Sequence, residues 1–274
     1  LEPWNQVNVA FHDWNLSEPL VLTHLAPHIT AAETSGQIHA WFFIRKHPCW
    51  RIRYLPAAAD GSTRAGVESH LQRLTTAGHI AGWTTAVYEP EIHAFGGPEA
   101  MAVAHRLFHH DSRALLTHAH SSHSDAGARQ RRETSLLLCS HLMRSAHQDW
   151  YEQGDVWARV AAHRSPSTVM TPDHARRVSS AVQRLISVDT DAVTSADAPL
   201  AYLAASAAAY ASAGKDLASL WDAGRLHRGL RDILAHHVIF SWNRLGLPYA
   251  EQAALAATAK AVVFGTDPAT MHAG

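Results

Sequence analysis

The chain predicts an α+β fold, with a small sheet layer in the first hundred residues and a mostly helical half after it. Three observations carry that prediction. Trp50-Arg51-Ile52-Arg53-Tyr54 alternates strictly between apolar and polar, the period-2 signature of a half-buried strand. Strand-like and helix-like runs before residue 90 follow the order β-α-β-β-α-β. After Gly96-Gly97-Pro98 the strand periodicity stops and the rest reads as helix.

The elements follow in chain order. Residues 6–11 read as a short strand ending near Asp13, and an apolar helix over 18–34 is closed by Gly36. Two strands, at 39–45 and 50–55, flank a turn at His47-Pro48. A helix over 62–77 stops at Gly78, and a strand over 82–88 carries the β-branched Thr84, Thr85 and Val87. This is the order of the ferredoxin-like, or split β-α-β, motif. Pro98 and Glu99 suit the first turn of a helix over 98–120. Further helical runs cover 131–164, start at Thr171-Pro172-Asp173 and at the alanine-rich stretch after Pro199, and close the chain over 222–246 and 248–264. Segments 121–127 and 188–198 read as loops. A single domain is expected over 1–274, with an α+β part over 1–97 and a helical part over 98–274.

Composition removes several function classes. A net charge of −1 gives no general attraction to nucleic acid or to an anionic membrane. Cys49 and Cys139 are too few for a disulfide framework and show no zinc-ribbon spacing. No apolar run of about 18 residues and no secretory signal pattern is present, so the expected compartment is the cytoplasm. No P-loop, GxGxxG or GxSxG occurs, which argues against nucleotide hydrolysis, dinucleotide binding and the α/β-hydrolase triad. His118, His120, His123 and Asp125 crowd together but match no familiar ligand spacing, so no metal is expected. The 22 histidines read as a compositional habit.

Three segments bear groups suited to chemistry. Arg51 and Arg53 project from one strand face about 7 Å apart, a spacing that grips a carboxylate or forms a solvated polar face. Near the C-terminus, Leu226, Leu230 and Ile233 define an apolar stripe that helical spacing continues into His237, Ser241 and Arg244. A stripe that turns polar leaves the core for solvent or lines a pocket. The segment from Tyr88 through Glu91 and His93 to Gly97 leaves a strand and feeds a helix N-terminus. It gathers a phenol, carboxylates and an imidazole, or else serves as a capping turn held by Glu91. What remains is cofactor-free acid–base chemistry or peptide binding.

Trp41-Phe42-Phe43-Ile44-Arg45 followed by Arg51-Ile52-Arg53 resembles the opening of the C-terminal elimination domain of lantibiotic dehydratases. The resemblance continues through Tyr88-Glu89-Pro90-Glu91, Phe95-Gly96-Gly97-Pro98-Glu99 and Asp111-Ser112. It runs on through Glu152-Gln153-Gly154-Asp155-Val156-Trp157 to Trp242-Asn243-Arg244-Leu245-Gly246. It covers nearly the whole chain, with no glutamylation domain expected alongside. Stand-alone relatives of this kind are eliminases, which remove glutamate from glutamylated Ser or Thr, or thiopeptide pyridine synthases. The latter join two dehydroalanines in a formal [4+2] cycloaddition with loss of water and, in many cases, of the leader peptide. A non-catalytic homologue that binds precursor peptide is a third class.

Two departures favour the pyridine synthase. Fused eliminases carry an additional Arg in the turn that here reads Glu91-Ile92-His93-Ala94-Phe95-Gly96-Gly97, and a His that falls near Ser241. The resemblance then implies Tyr88 and Ser241 as hydrogen-bond donors, His93 or His237 as proton shuttle, and Trp242 as a stacking surface for azoles. Arg45, Arg51, Arg53, Glu91, Asn243 and Arg244 complete the implied substrate-binding set. Under the eliminase alternative Arg51 and Arg53 hold the glutamyl carboxylate and His237 is the base. Neither needs a cofactor. The implied partner is a leader-bearing, azole- and dehydroalanine-containing precursor peptide, with other biosynthetic enzymes as further partners.

Overall fold

Alternation sorts the side chains of a four-stranded antiparallel sheet in the computed structural model, which describes residues 4–118, 125–164 and 172–265. The chain divides into one unit of residues 1–90 with 108–123 and another of residues 91–107 with 124–274.

In the first unit, β1 (Asn5–Ala10), β2 (Ile38–Lys46), β3 (Cys49–Pro56) and β4 (Gly82–Val87) lie in the order β2-β3-β1-β4. That order is what β-α-β-β-α-β connectivity requires when each helix crosses one face of the sheet. Trp41, Phe43, Trp50, Ile52, Val7 and Val9 all point to that helical face and are buried there. The helices covering them are α1 (Ser17–Leu20), α2 (Ala26–Thr34) and α3 (Ser62–Thr76). The single helix expected over 18–34 is interrupted by a π-helical turn, Val21–Leu25, where Ala26 N–H reaches back to Val21 O. Pro27, directly after it, has no N–H and crowds the carbonyl four residues back, which widens the turn. Edge strand β2 is covered within this unit: Trp41 N–H donates to His109 Nδ1 (3.2 Å) and Phe43 N–H to Ser112 Oγ (3.3 Å). Both acceptors sit on α4 (Pro98–His118).

The second unit is helical. It contains α5 (Asp125–Ser145), α6 (Trp150–Ala162), α7 (Pro172–Ser187), α8 (Thr190–Val193), α9 (Ala204–Asp222), α10 (Leu230–Leu245) and α11 (Tyr249–Phe264). Small residues set the spacing of neighbours. A Cβ on Gly214 of α9 would stand 2.5 Å from the Leu142 carbonyl of α5, and one on Gly154 of α6 would stand 2.5 Å from Val263 of α11.

Three boundaries differ from the sequence expectation. The run over 131–164 is two helices, because His147 turns left-handed (φ 58°) and Asp149 starts α6 with a reciprocal capping box to Glu152. The run over 222–246 is broken by Gly224 at φ 66°, and α10 begins only at Leu230. Segment 188–198 contains the short α8, capped by the Asp189 side chain. Of the expected loop at 121–127, residues 125–127 belong to α5 and the rest lies outside the described residues, as do His120 and His123. Among the described residues no helix is long and apolar enough to cross a membrane.

Candidate functional site

The first unit carries its polar groups on the sheet face opposite its core. Strand pairing aligns Phe42, Arg53, Gln6 and Ala86 in one row across the four strands, and Ile44, Arg51, Asn8 and Thr84 in the next. Arg53 is buried (8% exposed) and its Nε donates to Gln6 Oε1 at 2.8 Å. Gln6 Nε2 in turn donates to Asn8 Oδ1 at 2.9 Å. The guanidinium of Arg53 stacks 4.5 Å from the Tyr88 ring and 5.3 Å from the Phe42 ring, while Trp4 meets both rings edge-on. Planar cation on aromatic face, with a fixed amide behind it, sets the orientation of the guanidinium. Arg51 is half-buried on the same face and has no carboxylate within ion-pair distance among the described residues.

Arg45 does not join them. Its strand parity turns it to the helical face, where it makes a two-pronged ion pair with Glu18 (2.9 and 3.1 Å) and stacks 4.5 Å from the Trp50 ring. Its geometry is that of a core clamp between β2 and α1.

The second unit gathers its polar groups on α10. Leu230, Ile233, His237, Ser241 and Arg244 share one face as expected, but the stripe neither leaves the core nor frays into solvent: all five are buried. The Ser241 hydroxyl lies 2.8 Å from that of Tyr210 on α9. His237 stands edge-on to Phe95, ring centres 5.0 Å apart. Burial, with the charges of Arg244 and His236 adding to it, pushes the His237 imidazole down to about 3, so it is neutral at physiological pH. Asn243 accepts from Gln252 Nε2 at 3.2 Å, and Gln252 also accepts from Arg164 Nε at 2.9 Å.

Trp242 is not a stacking surface. It is fully buried, donates to Ser135 Oγ at 3.1 Å and lies parallel to Trp157 at 6.0 Å, so no face is left for an incoming ring. The motif at 152–157 is equally structural: Glu152 caps α6, Gly154 admits α11, Asp155 pairs with Arg159 and Arg231, and Trp157 stacks on Trp242.

The turn at 91–97 is built by backbone. Phe95 N–H donates to Glu91 O and Gly97 N–H to Ile92 O, while Glu91 and His93 side chains are exposed. Gly96 has φ 87° and a Cβ there would stand 2.3 Å from Ile233, so this turn docks directly on α10. Arg228 Nη1 also reaches the Ala94 carbonyl (3.2 Å) and its Nη2 lies 3.8 Å from Asp232.

Gln6, Asn8 and Tyr210 contact these candidates and were missed by sequence reasoning. The alternation Gln6-Val7-Asn8-Val9 gave a signal for the first two, since it puts both amides on one face. Tyr210 stands among alanines, and nothing local distinguishes it from a packing residue. Among the described residues no three His, Cys, Asp or Glu side chains come together to hold a metal ion.

Solved structures with the same fold include MibB, TbtD and TsrL. MibB, the tRNA-dependent lantibiotic dehydratase from Microbispora sp. 107891, matches with a TM-score of 0.66 and 18% identity over 96% of this chain. The present chain spans only 28% of MibB's length. TbtD, a pyridine synthase from thiomuracin biosynthesis, matches with a TM-score of 0.65 and 14% identity over 95% of this chain and 97% of its own. TsrL matches at 0.61 and 15% over 97% and 99%. Comparison with proteins of curated function gave no match. The family model of the lantibiotic biosynthesis dehydratase C-terminal domain matches residues 4–263, and the chain belongs to that family.

Proposed function

We propose that this protein is a thiopeptide pyridine synthase, joining two dehydroalanines of a leader-bearing modified peptide by formal [4+2] cycloaddition. In this reaction one backbone amide moves its N–H proton to its oxygen, giving a 2-azadiene. The diene adds across the second alkene, which closes the macrocycle; water then leaves, and loss of the leader as an amide aromatises the ring.

One observation carries this reading: on α10 the Ser241 hydroxyl, 2.8 Å from that of Tyr210, stands where the resemblance puts the histidine of fused eliminases. An eliminase must take an α-proton onto a base, and a serine or tyrosine hydroxyl is not one. Amide tautomerisation and dehydration need positioned neutral donors and acceptors instead. Ser241, oriented by Tyr210, is the donor to the amide oxygen. His93, exposed on the 91–97 turn, is the imidazole able to exchange protons with solvent. Tyr88 and the Arg51 and Arg53 guanidiniums bind peptide carbonyls or carboxylates. Ser241 and His237 are buried without substrate, so reaction requires a local opening around α10.

A second reading draws on Arg51. A half-buried guanidinium with no acidic partner among the described residues also suits the glutamyl carboxylate of an elimination substrate.

Intact mass spectrometry separates the two. Purified protein is incubated with a leader-bearing, azole-containing peptide whose dehydroalanines are installed, and separately with its glutamylated precursor. Water loss with release of leader amide from the first is the expected result. Loss of glutamic acid from the second alone overturns the proposal in favour of elimination.

A further inference from the structure

The 91–97 turn is closed by its own backbone and laid against α10. Phe95 N–H donates to Glu91 O, Gly96 N–H to His93 O and Gly97 N–H to Ile92 O. Phe95 is wholly buried and stands edge-on to His237 and Phe240, with ring centres 5.0 Å away in both cases. Its ring therefore covers the His237 imidazole. Two hydrogen bonds from the segment before α10 hold the turn down. His227 N–H donates to Gly96 O at 2.9 Å, and Arg228 Nη1 donates to Ala94 O at 3.2 Å. A turn bonded within itself and tied to its support at separate points moves as one piece when a tie is released.

The Arg228 tie is shared with a titratable ring. The same Nη1 lies 3.4 Å from His236 Nδ1, and that nitrogen also lies 3.3 Å from Asp232 O. One ring nitrogen cannot serve both groups at once. Without a proton, Nδ1 accepts from Arg228; with one, it donates to Asp232 O and stands as a cation beside the guanidinium. The Asp232 carboxylate gives Arg228 little alternative hold, because Oδ1 accepts from Arg159 at 2.6 Å and lies 3.8 Å from Arg228 Nη2. The titratable groups facing His236 are Arg228 ahead of α10, Asp232 and His237 on α10, and His163 just past α6, edge-on at 5.6 Å. Phe95 meets it from the turn at 6.0 Å. Burial, then the charge of Arg228, holds the His236 imidazole below its ordinary value, so the ring is neutral at physiological pH.

We propose that the 91–97 turn is a lid over His237, latched shut by Arg228, and that protonation of His236 releases the latch. A proton on Nδ1 removes an acceptor from Arg228 and places like charge against it, which draws Nη1 away from Ala94 O. That the lid admits the peptide substrate rests on the proposed function; its release by a proton does not.

The test is residue-resolved hydrogen exchange of the whole protein at about pH 8 and about pH 5, either side of the ordinary imidazole value. Rates are corrected for the intrinsic pH dependence of exchange. Opening measured at the amides of Phe95, Gly97 and His227 should rise ~10-fold at the lower pH, the scale of one charged hydrogen bond, while α9 amides stay unchanged. His236→Gln, which keeps an acceptor for Arg228 but cannot take up the proton, should stay closed at both. Arg228→Gln should be ~10-fold more open at both. Equal opening of the wild type at the two pH values overturns the proposal, as does a rise of the same size in His236→Gln. Acceleration on α9 to the same extent makes the opening global and overturns it too. Arg228→Gln should also lower KM for the dehydroalanine peptide by a similar factor, since substrate no longer has to open the lid. Opening as expected with KM unchanged removes the gating role, and opening as expected with no pyridine product leaves the lid standing and removes the proposed reaction.

Discussion

The hydroxyls of Tyr210 and Ser241 meet 2.8 Å apart between α9 and α10, both side chains buried. Either hydroxyl can donate to the other, and with Tyr210 as donor the Ser241 proton is left for a substrate oxygen. Tyr210→Phe should lower stability by ~1–2 kcal/mol through an unsatisfied hydroxyl. It should also slow turnover with little change in KM. Ser241→Ala should cost more turnover, ~10–100-fold, as expected for a donor to a developing charge. Urea unfolding beside steady-state kinetics separates the two effects, and equal turnover in both variants and wild type would remove Ser241 as donor.

His237 makes folding pH-dependent. The unfolded chain binds a proton at this imidazole below its ordinary value of 6.5, whereas the folded protein binds one only near 3. Stability is therefore fully present above 6.5 and falls as pH drops through that window, by up to ~1.4 kcal/mol per pH unit. Burial also lowers His24, His28, His110, His141 and His236, which add in the same direction. Denaturant titrations between pH 7 and 4 should show a shallower slope for His237→Gln. An unchanged slope would mean that His237 takes up its proton near 6.5 in the folded protein.

Helix spacing should reveal itself in two glycines. Gly214→Ala drives a methyl against the Leu142 carbonyl, and Gly154→Ala drives one against the Val263 and Phe264 side chains. Backbone yields less readily than side chains, so Gly214→Ala should cost ~2–3 kcal/mol and Gly154→Ala nearer ~1. Thermal unfolding of the two variants checks the order.

Trp242 packs against Trp157 and donates to Ser135. Trp242→Phe should lower stability by ~2 kcal/mol through lost area and the lost hydrogen bond to Ser135 Oγ, which still donates to Arg132 O, leaving KM unchanged. A raised KM with unchanged stability would restore a substrate-stacking role.

Arg53→Lys keeps the charge but loses the planar fork that bonds Gln6 and lies on Tyr88. KM for the peptide substrate should rise ~10-fold at nearly constant kcat, on the scale of one charged hydrogen bond. A change confined to kcat would move Arg53 from binding to chemistry.

Much of the strand layer was legible. Alternation in Trp50–Tyr54 and the order of short runs give the four strands and their helices, because a pleated strand must put alternate residues on opposite faces. The helix ends at 146–149 and 223–229 carried readable signals in Asp149-x-x-Glu152 and Gly224 that helical periodicity on either side obscured. His237, Ser241 and Arg244 were placed on one face of α10 by spacing alone, but whether that face met solvent, pocket or core was not.

The α+β order, the faces of the strands and the stripe on α10 can be read from residue pattern alone, since each depends on local geometry with a fixed period. Packing in three dimensions is what sets Arg45 against Glu18, rests Arg53 on Tyr88 and Gln6, buries Trp242 and brings Ser241 to Tyr210. Those are pairings between residues far apart in the chain, selected by which strands and helices pack together, and no local period encodes a partner.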